Sequence, residues 1–440
     1  MKNRIKHLAV FVFVALLLTG CGMKTVDQMY AVPRRSAAYQ ELQKAIDRVM
    51  SGMNYCAPLS GDNPQTVQMA DLDGDGEDEY LLFAEGSTDL PLKIFIFQRQ
   101  GEDYTLWHTI ESRGADYELV EYVDMDGRPG KELVVGRQLS DQVLRNLAVY
   151  TFASGSCEQL MAVNYSKFVT VDLDQDSLTD LMVISPGDQD EDVAVATLYC
   201  YRDGTISRSR EARLSEQVEN IKRIMVSRLY GGISAVYVAS SAAESAIITD
   251  VFAVKDGKFT NVSLSNESGA SIQTLRNRYV YAVDIDSDGA LELPGLIDMI
   301  PIQNNSNVST RHLIRWYTMT LDGEEINRRY TFHNFDGGWY LTLNEEWAPR
   351  VSVTEGAGVY TFFVWNEKFD KAEKLLSIYA LTGSDRSILA EQEDRFTLYK
   401  TDGVTYAAVL EAAAPSYGVS ADNLPECFHL IHMDWKSGET

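Results

Sequence analysis

The 440 residues carry 64 acidic against 39 basic side chains, a formal charge of −25. That balance argues against nucleic acid as a partner, because phosphate binding needs clustered Lys and Arg. It also argues against electrostatic docking on anionic lipid, and it leaves cation binding or plain solubility as readings.

The chain opens with a positive stretch, Lys2, Arg4 and Lys6, followed by an apolar run from Leu8 to Leu18 and the small-residue exit Leu18-Thr19-Gly20-Cys21. The run suits the apolar region of a signal peptide and falls short of the roughly 20 residues a spanning helix needs. The exit resembles the lipobox of bacterial lipoproteins, in which the peptide is cut before a cysteine that then receives a diacylglyceryl group. The resemblance implies a signal peptide over 1–20, lipidation at Cys21 and attachment to a bacterial membrane, inner or outer, with the folded part outside the cytoplasm. Taking away residues 1–20 removes three bases and no acids, so the remainder lies near −28. Residues 21–35 read as a tether. Over 36–53, Leu42, Ile46, Val49, Met50 and Met53 share one helical face, which predicts an amphipathic helix packed on the domain that follows or offered to a partner.

From residue 54 onward an internal repeat organises the chain. Acidic segments begin at Asp71, Asp124, Asp172 and Asp284, each with carboxylates at alternate positions and an apolar strand after them. The double spacing before Asp284 leaves room for a degenerate copy, and Val226–Val238 keeps the flanking apolar residues and Gly231-Gly232 while losing every carboxylate. Weaker copies at Phe335–Trp339 and Tyr399–Gly403 bring the tally to seven. Aromatic-rich strands ending in polar turns recur between them, as in Lys93-Ile-Phe-Ile-Phe-Gln98. A unit of about 50 residues holds four short strands, so the expectation is an all-β, seven-bladed β-propeller over 54–440. Pairing of the N-terminal strand at Thr66–Ala70 with C-terminal strands would close the ring and remove two sheet edges.

The loops place acids at positions 1, 3, 5 and 9 of a tight turn. Calcium takes 6–8 oxygen ligands, mixing carboxylates with backbone carbonyls. An EF-hand needs a bidentate Glu at position 12, and here that position holds Leu82, Val135, Val183 and Gly295. The loops instead resemble the FG-GAP/VCBS repeats of integrin-type and bacterial surface propellers, whose acidic turns hold calcium. The resemblance implies a structural calcium site at Asp71, Asp73, Asp75 and Glu79 with the Glu77 carbonyl. A second falls at Asp172, Asp174, Asp176 and Asp180 with the Leu178 carbonyl, and a third at Asp284, Asp286, Asp288 and Glu292 with the Ala290 carbonyl. Arg128 at position 5 argues against calcium in the second loop, and metal-free turns are the competing reading throughout.

Catalytic motifs such as HExxH, GxSxG and the P-loop are missing from the sequence. Glu345-Glu346 beside Trp347 is the pair a glycosidase reading would use. Cys56, Cys157, Cys200 and Cys427 form no CxxC pair and leave disulfides and buried thiols both open. The expected function is a membrane-anchored, non-enzymatic binding or adhesion scaffold for a protein or glycan. The alternative is an extracellular polysaccharide hydrolase or lyase with an acidic site.

Overall fold

The computed structural model describes residues 37–139, 145–186, 193–202, 204–243, 246–302, 312–392 and 394–431. Cys21, the signal peptide and the tether lie outside the described residues, as do His432 and Trp435. No helix among the described residues is long and apolar enough to cross a membrane.

Helix α1 (Ala37–Val49) leads into six antiparallel sheets that follow one another along the chain. The first contains β1 (Met53–Tyr55), β2 (Val67–Ala70), β3 (Glu79–Gly86), β4 (Leu92–Gln100) and β5 (Asp103–Ser112). The second is the meander β6 (Asp116–Val123), β7 (Glu132–Gln138), β8 (Arg145–Thr151) and β9 (Glu158–Tyr165). The third repeats it with β10 (Lys167–Val171), β11 (Asp180–Pro186), β12 (Ala194–Arg202) and β13 (Thr205–Arg213). The fourth is β14 (Ile221–Arg228), β15 (Ser234–Ala243), β16 (Ala246–Lys255) and β17 (Lys258–Asn261). Strands β18 (Leu293–Asp298), β19 (His312–Met319), β20 (Glu325–Asn334) and β21 (Trp339–Leu343) make the fifth. The sixth holds β22 (Val351–Gly356), β23 (Val359–Trp365), β24 (Ala372–Thr382), β25 (Phe396–Lys400) and β26 (Val404–Leu410); β27 (Phe428–Leu430) returns to pair β21.

The two-residue period of a strand explains how these sheets stack. In β11, Leu181 and Val183 face the second sheet and pack with Val134, Leu147 and Val149. The intervening Met182 and Ile184 face the fourth, against Val236, Val238 and Phe252. In β7, Leu133 and Val135 turn to Leu81 and Phe83 of the first sheet, whereas Val134 turns to the third. A strand sandwiched between two sheets must be apolar on both faces, and residues 181–184 and 133–135 are accordingly buried throughout. Similar shared cores join the fourth sheet to the fifth and the fifth to the sixth. This face-to-face succession of antiparallel meanders is the blade packing of a β-propeller.

Two expectations are corrected. Among the described residues there are six sheets rather than seven. The weak copies at Phe335–Trp339 and Tyr399–Gly403 are hairpin turns inside the fifth and sixth sheets, joining β20 to β21 and β25 to β26. Their Asp-Gly chemistry is that of any tight hairpin and marks no new unit. Among the described residues the N- and C-terminal strands also do not pair with each other. Strands β1 and β2 both pair β3, and β27 pairs β21. The outer face of the first sheet is covered by α1, whose Leu42, Ala45 and Ile46 pack on Leu82, Ala84, Phe95 and Phe97.

Candidate metal centres and a neighbouring cleft

Three acidic loops join β2 to β3, β6 to β7 and β10 to β11, the one at Asp284 leads into β18, and all share one hydrogen-bond scheme. The acid at position 9 opens the following strand or precedes it directly, and its carboxylate accepts the backbone N–H of position 2. These bonds run from Leu72 to Glu79 at 2.9 Å, Met125 to Glu132 at 2.8 Å, Leu173 to Asp180 at 3.1 Å and Ile285 to Glu292 at 3.0 Å. The position 1 Asp accepts N–H groups from positions 4 to 6, as Asp71 does from Gly74 and Gly76 at 2.7 and 3.0 Å. Left-handed backbone falls at positions 4 and 6 in the first, third and fifth loops, and in the second at Gly127 and, beyond Pro129, at Gly130. The third loop adopts it at Gln175 and Ser177 without glycine, at φ 61° and 72°.

Folding in this way gathers carboxylates. Ligand atoms lie within 4.8 Å of one another in the groups Asp71, Asp73 and Glu79, then Asp284, Asp286 and Glu292, and in Asp172, Asp174 and Asp176. Asp180 meets Asp174 and the Cys200 thiol in a further group. Asp75 and Asp288 fall outside the groups of three in their loops. Each, like Asp176, accepts the N–H of position 7: Glu77 at 2.7 Å, Ala290 at 2.9 Å and Leu178 at 2.9 Å. The second loop, set aside on account of Arg128, gathers Asp124, Asp126 and Glu132 in the same manner. Its acids at positions 1, 3 and 9 were the signal that pointed to it. The Arg128 guanidinium is largely exposed and approaches Asp126 only to 3.6 Å.

Burial combined with like charge raises the ninth acid of each loop. Glu79 is pushed up to about 7, first by burial and then by Asp73, Asp75 and Asp71, against the bond from Leu72. Glu292 reaches about 7 for the same reasons, Asp180 about 6, and Glu132 rises too, all led by burial. A cation supplying opposite charge would reverse that push. Apart from the Cys200 thiol beside Asp180, the donors are hard oxygen, as calcium prefers. Inward oxygens lacking a partner occur in two loops, at Asp172 Oδ1 and Asp174 Oδ1 and at Asp286 Oδ1 and Glu292 Oε1. The residues therefore fit a hard divalent cation.

The loops also touch in succession, forming one edge of the array. Gly74 lies against Pro129 so closely that an added Cβ would meet backbone at 2.4 Å. Thr179 N–H donates to the Asp124 carbonyl at 2.7 Å, and Gln175 Nε2 to the Gly232 carbonyl at 3.1 Å.

A cleft of about 550 Å³ lies between the fifth sheet and the turns after β21 and β26. Glu345, Glu346, Glu426, Asn344, Asn423 and Tyr417 contribute to its lining. Trp347, also in the lining, is buried and donates from Nε1 to the Tyr417 carbonyl at 3.1 Å, so it braces the wall. Trp316 and Trp339 are fully buried packing residues. Cys56, Cys157, Cys200 and Cys427 are free thiols.

Fold and loops together define an all-β protein of propeller-type blades with an edge of acidic turns. No family model matches the chain, and no curated protein matches it. Among solved structures it is similar to the β-propeller domain of the Trilobed protease from Pyrococcus furiosus. That match is 13% identical, covers 72% of this chain and 89% of that one, and has a TM-score of 0.26. A protein from Lactobacillus plantarum is 14% identical over 72% of this chain and 86% of its own, with a TM-score of 0.26. Bacillus licheniformis rhamnogalacturonan lyase PL11 is 13% identical over 73% and 72%, with a TM-score of 0.28. At such scores these likenesses carry no argument about activity.

Proposed function

We propose that this chain is a lipid-anchored, extracytoplasmic scaffold whose acidic loops hold structural calcium in the manner of FG-GAP/VCBS repeats. Its blades present the cleft beside Trp347 to a glycan or protein, without chemistry. The observation that carries the reading is the row of acidic loops along one edge of stacked sheets. Such loops brace a rigid body, and ligands are held on the segments a rigid body positions. In the first loop Asp71, Asp73 and Glu79 would hold the ion, in the fifth Asp284, Asp286 and Glu292, and in the third Asp172, Asp174 and Asp176. Bound calcium supplies charge neutralisation and cross-links the turn. The chain's own residues set the turn through Asp71 and tie it to the following strand through Glu79.

A second reading has its own support. Glu345 and Glu346 share the cleft with Glu426, so an acidic polysaccharide hydrolase or lyase site would lie there.

Membranes bearing the full chain should capture a component of a glycan array or a surface-protein extract. Cys21→Ser should move that capture to the soluble fraction, and Glu345→Gln with Glu426→Gln should weaken it without changing the melting temperature. Capture that stays with the membrane in Cys21→Ser would contradict the anchor. Turnover of any polysaccharide that is lost in the glutamate variants would replace the scaffold by the enzyme.

A further inference from the structure

The fifth loop differs from the first in what approaches its carboxylates. In the first loop a neutral amide, Gln98 Nε2, donates to Asp73 Oδ2 at 3.0 Å. In the fifth a guanidinium arrives: Arg328, on β20, donates from Nη2 to Asp288 Oδ2, and its Nε stands 4.0 Å from Asp286 Oδ2. The match is incomplete on both sides. Glu292 is wholly buried, and its Oε1 has no hydrogen-bond partner. Asp286 Oδ1 and Arg328 Nε are likewise buried without one. A guanidinium is planar and its donors spread within that plane. It can reach the rim carboxylate of Asp288, but it cannot satisfy oxygens that converge on a point. A compact divalent cation with six or more oxygen ligands can. A buried carboxylate oxygen left unmatched is destabilising, so the loop gains by exchanging one positive group for the other.

We infer that Arg328 is an internal competitor for the cation site formed by Asp284, Asp286 and Glu292, with Asp288 at its rim: the guanidinium caps the loop when no ion is bound, and a divalent cation loads by displacing it. This rests on the calcium reading above and adds how one of its sites is regulated. Arg328 also lines the cleft beside Trp347, which gives the displaced side chain an acidic place to go, near Glu345 and Glu346.

Equilibrium dialysis of the full chain against radioactive calcium tests this. Arg328→Gln should bind one ion more than the wild type at the same free calcium, or tighten one class of site on the order of tenfold, the scale of a lost charge-assisted contact. Adding Glu292→Gln should remove that gain. An Arg328→Gln isotherm that overlies the wild type, or a gain that survives Glu292→Gln, overturns the inference. The wild-type protein supplies a check that needs no variant. Phenylglyoxal labelling of Arg328, measured by peptide mass spectrometry against Arg329, should rise severalfold on adding calcium, and a constant ratio counts against displacement. Asp73→Asn reports separately on the first loop. If it leaves wild-type binding unaltered, the parent reading fails at that loop while the Arg328 comparison still decides the fifth.

Discussion

At the residue scale the loops are built by side-chain oxygens that stand in for backbone partners. Asp71 closes the turn by accepting Gly74 and Gly76, both left-handed at φ 79° and 89°. The two glycines serve different ends. Nothing lies within 4 Å of a Cβ built on Gly76, so Gly76→Ala meets only the backbone penalty of about 1 kcal/mol. Gly74→Ala adds a clash with the Pro129 backbone, which belongs to the next loop, and should cost several kcal/mol. Thermal melts of the two variants check this, and equal losses would mean that neighbouring loops do not touch. The acids of the candidate sites were legible in the sequence because an Asx turn is local: positions 1 to 9 contain all its partners. Gln98, Thr151, Arg202 and Arg328 were not. They reach Asp73, Glu132, Asp174 and Asp288 from later strands, and only the fold brings them there.

At the element scale, strand pattern decided more than propensity. Residues such as Leu181–Ile184 read simply as an apolar run, and the structure shows why: alternate side chains serve two different cores. The tally of units was less legible because the Asp-Gly hairpins at Phe335–Trp339 and Tyr399–Gly403, which lie inside sheets, look like degenerate copies of the acidic turn. Helix α1 is the element that treats the first sheet differently from the rest. It covers the face where another sheet would otherwise lie, and Ile46 sits in that contact beside Leu82 and Phe95. Ile46→Ala should therefore lose about 2–4 kcal/mol of stability, as truncations in a packed core do. Lys44→Ala, whose ammonium is exposed and pairs only with Glu41, should change little. Urea unfolding of both variants measures it. Equal midpoints would show that the helix is an appendage rather than a cover.

For the whole molecule, the expectation of a closed ring rested on the economy of joining two sheet edges. Among the described residues the sheet succession instead ends with β27 on the fifth sheet and opens under a helix. Long-range pairing of this kind leaves no local trace in a sequence. What the succession of blades does share is the acidic edge, where four loops each gather carboxylates within 4.8 Å. Unneutralised, those groups raise Glu79 and Glu292 to about 7 by burial and mutual repulsion. An ion bound only to the folded state stabilises it by mass action, by about 2.7 kcal/mol at a hundredfold excess over the dissociation constant.

Scanning calorimetry of the full chain in saturating calcium and in EDTA is thus the most direct measurement. The melting temperature should fall by several degrees on chelation and recover when calcium is restored, with Asp73→Asn showing a smaller difference. Superimposable melts at every calcium concentration would contradict the account of these loops as metal-braced turns.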